Sequence, residues 1–145
     1  MTSSSTQRRK GAKAQRAGDL TDDDISRFVV DGAIEVHRTL GGPGLLESVY
    51  EEALAYELAS NGLTISRQAA LPIVYKGKRF ATDLRLDLLV DGRVIVECKA
   101  TTAFNPVFEA QVLTYLRLLE LKLGLVINFG ERLVKDGIHR VVNGL

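Results

Sequence analysis

Residues 84–100 read LRLDLLVDGRVIVECKA. Leu84, Leu86, Leu88 and Val90 share one parity of the first half, and Val94, Val96 and Cys98 share one parity of the second. Asp91-Gly92 lies between them as a turn signal, so the stretch reads as a β-hairpin with one uniformly apolar face. The opposite parity carries Arg85, Asp87 and Leu89 on one strand and Ile95, Glu97 and Lys99 on the other. Charges therefore gather toward one end of that face. Register decides how they meet. A two-residue turn pairs Asp87 with Val96 and sets an acid among apolar side chains. A three-residue loop pairs Val90 with Val94 and Asp87 with Glu97. Only the second separates an apolar face from a charged one, and it is the expected register.

Two carboxylates side by side repel, and burying either without a partner is costly. They persist together when something positive lies between them: Lys99, a metal ion, or both. A hard divalent cation such as Mg²⁺ takes oxygen ligands, often one or two carboxylates plus water. It polarises a phosphoryl oxygen and lowers the pKa of a bound water. A lysine beside it orients that water and stabilises developing negative charge. Asp87, Glu97 and Lys99 thus suit phosphodiester hydrolysis. A structural Asp–Lys–Glu ion-pair cluster is the competing reading, because an E-x-K triplet alone is common.

Downstream, Asn105-Pro106 announces a helix running to about Lys122, with Gly124 ending it. Gln111 and Tyr115 share one face of it. Leu125–Phe129 is a buried strand, which makes the helix a crossover. Short strands are expected around Leu133 and over Ile138–Val142. Upstream, Thr64–Gln68 and Leu71–Tyr75 are candidate strands, with Lys76-Gly77 as a turn before Arg79–Val90. Two helices come first. One is capped by Thr21 with acids behind it, carries Ile25, Phe28, Val29, Val36 and Leu40, and stops at Gly41–Gly44. The other runs from about Leu45 to Ser60, with Leu46, Val49, Tyr50, Ala53, Leu54 and Leu58 on one broad face. Glu47 in its first turn either serves the helix dipole or reaches a metal as a third carboxylate; Glu51, one turn on, is a second candidate. His37 reads as structural, His139 has no assigned role, and Cys98 reads as core. The whole is a mixed α/β layer structure with helices covering a central sheet.

The chain has 145 residues, enough for one domain with a single core. One cysteine excludes an internal disulfide. With no apolar run long enough to cross a membrane and no secretory signal, a cytoplasmic location and no membrane partner are expected. Residues 1–18 hold five basic residues and no acid, whereas 19–145 hold 14 basic residues against 18 acids. The chain therefore divides into a basic arm, 1–18, expected to be disordered, and a domain, 19–145. The arm reads as a loose hold on nucleic acid, a solubilising tail or start-site artefact, or a targeting peptide.

Asp87, nine intervening residues and Glu97-x-Lys99 together resemble the motif of the PD-(D/E)XK nuclease superfamily. Gly44-x-x-Glu47-x-x-Tyr50 resembles the signature of the small GxxExxY proteins within it. The resemblance takes in His37, LDLLV (86–90), VIVECKA (94–100), EAQVLTYL (109–116), GLVINFG (124–130) and KDGIHRVVN (135–143). It implies a restriction-endonuclease-like αβββαβ core, with a central mixed sheet flanked by helices. It implies that Asp87 and Glu97 bind Mg²⁺ or Mn²⁺, with the Cys98 carbonyl as a further ligand and Glu47 as the helix-borne carboxylate. Lys99 would be the catalytic lysine, and Gln111 and Tyr115 would match a Q-x-x-x-Y motif. Cys98 departs from the aliphatic residue expected there. The implied function is a metal-dependent nuclease, DNA favoured, in repair, restriction or mobile-element biology, acting as a homodimer or in a larger complex. The alternative is a nucleic-acid-binding or protein-interaction module that keeps the fold without catalysis.

Overall fold

Three acids behind Thr21 start the first helix. In the computed structural model, which describes residues 19–144, α1 spans Asp22–Thr39. The Thr21 hydroxyl accepts from the Asp24 N–H and the Asp24 side chain accepts from the Thr21 N–H, each at 3.0 Å, a reciprocal capping box. The basic arm, 1–18, lies outside the described residues. Gly41, Gly42 and Gly44 all take positive φ, and this turn carries the chain into α2 (Glu47–Ser60). The Tyr50 hydroxyl ties the turn down, donating to the Gly42 carbonyl at 2.7 Å and accepting from the Leu45 N–H at 3.2 Å.

Five strands form one sheet in the order β1-β2-β3-β4-β5: β1 (Ile65–Tyr75), β2 (Lys78–Val90), β3 (Val94–Lys99), β4 (Leu123–Asn128) and β5 (Ile138–Val142). β3 and β4 are parallel, and α3 (Val107–Leu119) makes the crossover between them; every other neighbouring pair is antiparallel. The expected αβββαβ order is present, extended by α1 before it and β5 after it. Among the described residues no helix is long and apolar enough to cross a membrane.

The β2–β3 register is the expected one. Val90 pairs with Val94, Leu89 with Ile95 and Leu88 with Val96, leaving a three-residue loop. Asp91 and Gly92 both adopt positive φ in it. Other expectations are corrected. β1 is one continuous strand rather than two. α3 ends at Leu119, where Glu120 turns left-handed (φ 57°), so Lys122 lies outside the helix. Gly124 lies within β4, where a side chain would collide with Val112 of α3. Around Leu133 there is no strand, and a short 3₁₀ turn (Val134–Gly137) leads into β5. Leu46 and Val49, expected on the one broad apolar face of the second helix, are exposed: Leu46 is the residue before the helix, and Val49 lies in its first turn, outside the buried set Tyr50, Glu51, Leu54, Ala55 and Leu58.

The flanking helices are as expected, and the correction concerns which face Leu86 takes. The sheet is covered on both sides. Ile25, Val29, Tyr50, Leu54 and Leu58 of α1 and α2 pack on Leu88, Val90, Val94, Val96 and Cys98. Val112 and Leu116 of α3 pack on Leu86, Ile95, Val126 and Val141. Leu86 and Leu88 share a parity in sequence yet belong to opposite cores. The alternation breaks at Asp87. Across from it, between the pairs Arg67–Leu88 and Ala69–Leu86, Gln68 takes φ 50°. A left-handed residue inside a strand turns the following side chain to the other face.

Candidate active site

Asp87 lies where β2 parts from β3. Backbone pairing of the two strands ends at Leu88–Val96. Beyond that point side chains continue the connection. The Asp87 N–H donates to Glu97 Oε2 at 2.8 Å, and the Cys98 N–H donates to Asp87 Oδ2 at 2.8 Å. Each carboxylate is thus held by the opposite strand's backbone, and the two sit side by side as the register required. Burial first, and the Asp87 charge second, push the Glu97 carboxyl up to about 8. Burial likewise raises the Asp87 carboxyl above its ordinary range, with the Cys98 N–H partly offsetting it and Glu51 adding to it.

Lys99 lies two residues beyond Glu97 and is half-buried. Its Nζ sits 4.6 Å from the centroid of the Phe108 ring on α3, a cation–π contact. Among the described residues it forms no ion pair with Asp87 or Glu97, and its charge only partly relieves them from a distance. The reading of the three residues as a structural ion-pair cluster therefore fails on geometry.

Of the two acids on α2, Glu47 is exposed in the first turn, and its charge is the weakest of those raising the Asp87 carboxyl. Glu51 is buried. It pairs with Arg67 at 3.1 Å and accepts from Gln68 Nε2 at 2.9 and 3.1 Å. The same Nε2 lies 3.4 Å from Asp87 Oδ1. Gln68 therefore joins the helix carboxylate to the strand carboxylate, and Arg85 donates to the Gln68 carbonyl at 3.2 Å. Tyr115 on α3 is half-buried. Burial and then the charges of Glu97 and Asp87 raise its hydroxyl, which places it within their field. Gln111, one turn earlier, is exposed. The Cys98 side chain is buried in the core beneath α1 and α2, while its amide serves Asp87.

Sequence reasoning missed Gln68, Phe108 and Asn128. Asn128 ends β4, in register with Lys99, and is fully buried. Its side chain accepts from the N–H groups of Thr101 (2.9 Å) and Gly130 (3.0 Å) and donates to the Thr101 carbonyl (3.1 Å). It clamps the chain leaving β3 to the chain leaving β4. His37, read as structural, meets the Phe129 carbonyl through Nε2 at 3.1 Å. Tyr50 stacks on Phe129 at 4.7 Å.

Among the described residues no three His, Cys, Asp or Glu side chains gather into a metal cage. The set that fits a hard divalent cation is smaller: two adjacent carboxylates, Glu97 engaged through one oxygen and Asp87 through Oδ2 with a longer contact to Oδ1, and no ion-paired protein cation among the described residues. One or two carboxylates with water suffice for Mg²⁺. No curated protein and no solved structure gave a match to the chain. A family model described as the PD-(D/E)XK nuclease superfamily matches residues 23–141, from the first turn of α1 into β5. That span contains the whole carboxylate pair, its lysine and the sheet that carries them, and the chain belongs to the PD-(D/E)XK nuclease superfamily.

Proposed function

We propose that this protein is a divalent-metal-dependent nuclease of the GxxExxY kind that hydrolyses phosphodiester bonds, DNA ahead of RNA. The observation that carries the reading is the Asp87–Glu97 pair, which no cation among the described residues ion-pairs. Asp87 and Glu97 would hold Mg²⁺ or Mn²⁺, with the Cys98 carbonyl as a further ligand. The bound ion supplies Lewis-acid polarisation of the phosphate and a more acidic water. Lys99, kept close by Phe108 but not locked in an ion pair, stabilises negative charge as it develops on the phosphate. The Tyr115 hydroxyl, with its raised pKa, stays protonated at neutral pH and donates to a phosphate oxygen, and Gln111 extends the same helix face toward the substrate. Of the two acids on α2, Glu51 is the one tied to Asp87, and through Gln68 it fixes that carboxylate's orientation. Glu47 lies at the rim.

The test is cleavage of labelled single- and double-stranded DNA and RNA with Mn²⁺ or Mg²⁺. EDTA and an identically purified Asp87→Ala protein serve as controls. Cleavage that is lost in both controls is the expected result. No cleavage of any substrate by the wild type, with nucleic acid still bound, would replace this reading with that of a non-catalytic binding module.

A further inference from the structure

β1 and β2 continue well past the site. β3 accompanies β2 only as far as Leu88, so, among the described residues, 78–86 of β2 have β1 as their sole strand partner. Every residue from Val74 to Asp83 is exposed. The tip is both aromatic and basic. Tyr75 (56% exposed) pairs with Lys78 across the hairpin, and its ring lies 5.8 Å from that of Phe80 (39% exposed). Lys76 Nζ sits 5.4 Å from the Tyr75 ring centroid. Among the described residues no ion pair engages Lys76, Lys78 or Arg79. Residues 65–90 hold five basic residues against two acids, while the rest of 19–145 holds nine against sixteen. This stretch, which runs outward past Asp87, is thus net positive while the rest of 19–145 is net negative.

We infer that this hairpin is the grip for a single-stranded segment of nucleic acid, a reading that rests on the nucleic-acid substrate proposed above. Lys76, Lys78 and Arg79 neutralise backbone phosphates, and Tyr75 and Phe80 offer ring faces to unpaired bases. Cations interleaved with exposed aromatics are the usual means of holding single strands. Other occupants fit less well. A second copy docking tip to tip would bring like charges together, and the basic arm, 1–18, carries the same sign. At about 3.3 Å per residue, Lys78 lies at most roughly 30 Å from Asp87 along β2. That is on the order of nine stacked nucleotides at about 3.4 Å each. The grip therefore lies outside the reach of a very short oligonucleotide bound at the site.

The test uses the full chain in EDTA, which separates binding from turnover. The probes are a labelled 20-nucleotide oligothymidylate and a 20-base-pair duplex. A Lys76→Ser/Lys78→Ser/Arg79→Ser protein should bind the single strand at least tenfold more weakly. The slope of log K against log salt should drop by about 2, since single strands contribute about 0.7 per phosphate contact. A Tyr75→Ser/Phe80→Ser protein should lose about tenfold on the single strand with an unchanged slope, and little on the duplex. All substituted residues are exposed, so unchanged melting curves are expected. Wild-type affinity in both variants, or no binding by the wild type, overturns the inference. So does loss of a dimer in light scattering with affinity intact, which would give the face to a second copy. Binding that depends on the hairpin without any cleavage in Mn²⁺ would sink the nuclease reading and leave the grip standing.

Discussion

Glu97→Gln is expected to stabilise the metal-free protein at alkaline pH and do nothing in acid. Burial and the neighbouring Asp87 charge raise the folded Glu97 carboxyl from 4.5 to about 8. Between those values the folded state keeps a proton that the unfolded chain has released. The unfolded state then binds fewer protons, so stability falls as pH rises through the window. Each pH unit costs about 1.4 kcal/mol, so the full window amounts to roughly 4–5 kcal/mol. Glutamine has no proton to lose, and its amide oxygen still accepts from the Asp87 N–H. At roughly 2–4 °C per kcal/mol for a domain of this size, the variant should melt on the order of 10 °C above the wild type at pH 8. At pH 4.5 the gap should close. Urea melts in EDTA at pH 5, 6, 7 and 8 read this directly. Parallel wild-type and variant stabilities across that range would mean that Glu97 keeps an ordinary carboxyl affinity for its proton in the folded protein. Mn²⁺ at pH 8 should restore stability to the wild type and far less to Glu97→Gln, since only an ion bound to the folded state stabilises it.

Gln68→Ala keeps a left-handed backbone at φ 50° while losing the amide, whereas Gln68→Gly loses the amide without strain. The glycine variant should be about 1 kcal/mol the more stable in urea, and equal midpoints would contradict a strained Gln68. Tyr50→Phe removes the hydroxyl that bridges Gly42 and Leu45 but keeps the stack on Phe129, for an expected loss of about 1–2 kcal/mol in denaturant melts. Asn128→Ala leaves half-buried backbone groups of Thr101 and Gly130 without this partner and should cost about 1–3 kcal/mol by the same measurement.

The hairpin register was legible because only one pairing kept Asp87 away from valine, and the structure adopts it. The order of helices and strands was legible for a similar reason: the apolar period changes at Thr64, Asn105 and Leu125. The change of face along β2 was not. Leu86 and Leu88 are alike in sequence, and only the backbone at Gln68 sends them to different cores. A trace was present, since the alternation falters after Gln68, where the sequence read as two strands. A left-handed glutamine, unlike a glycine, leaves no mark of its φ. The carboxylate pair was readable from Asp87 and Glu97 themselves. Gln68 and Asn128 were not, because they act through backbone groups and carboxylates that only the tertiary fold brings within reach. Glu47 and Glu51 lie one turn apart on one helix, and burial distinguishes them.

The role of this site in phosphodiester hydrolysis is tested by the cleavage rate of Lys99→Met at saturating Mn²⁺, with Mn²⁺ affinity measured on the same preparation. Lys99 is held near the carboxylates without pairing to them, so the ion should bind as in the wild type. Turnover should fall at least 100-fold, in line with the loss of one preorganised charge-stabilising group. A Lys99→Met protein that cleaves at the wild-type rate would contradict the assignment of this site.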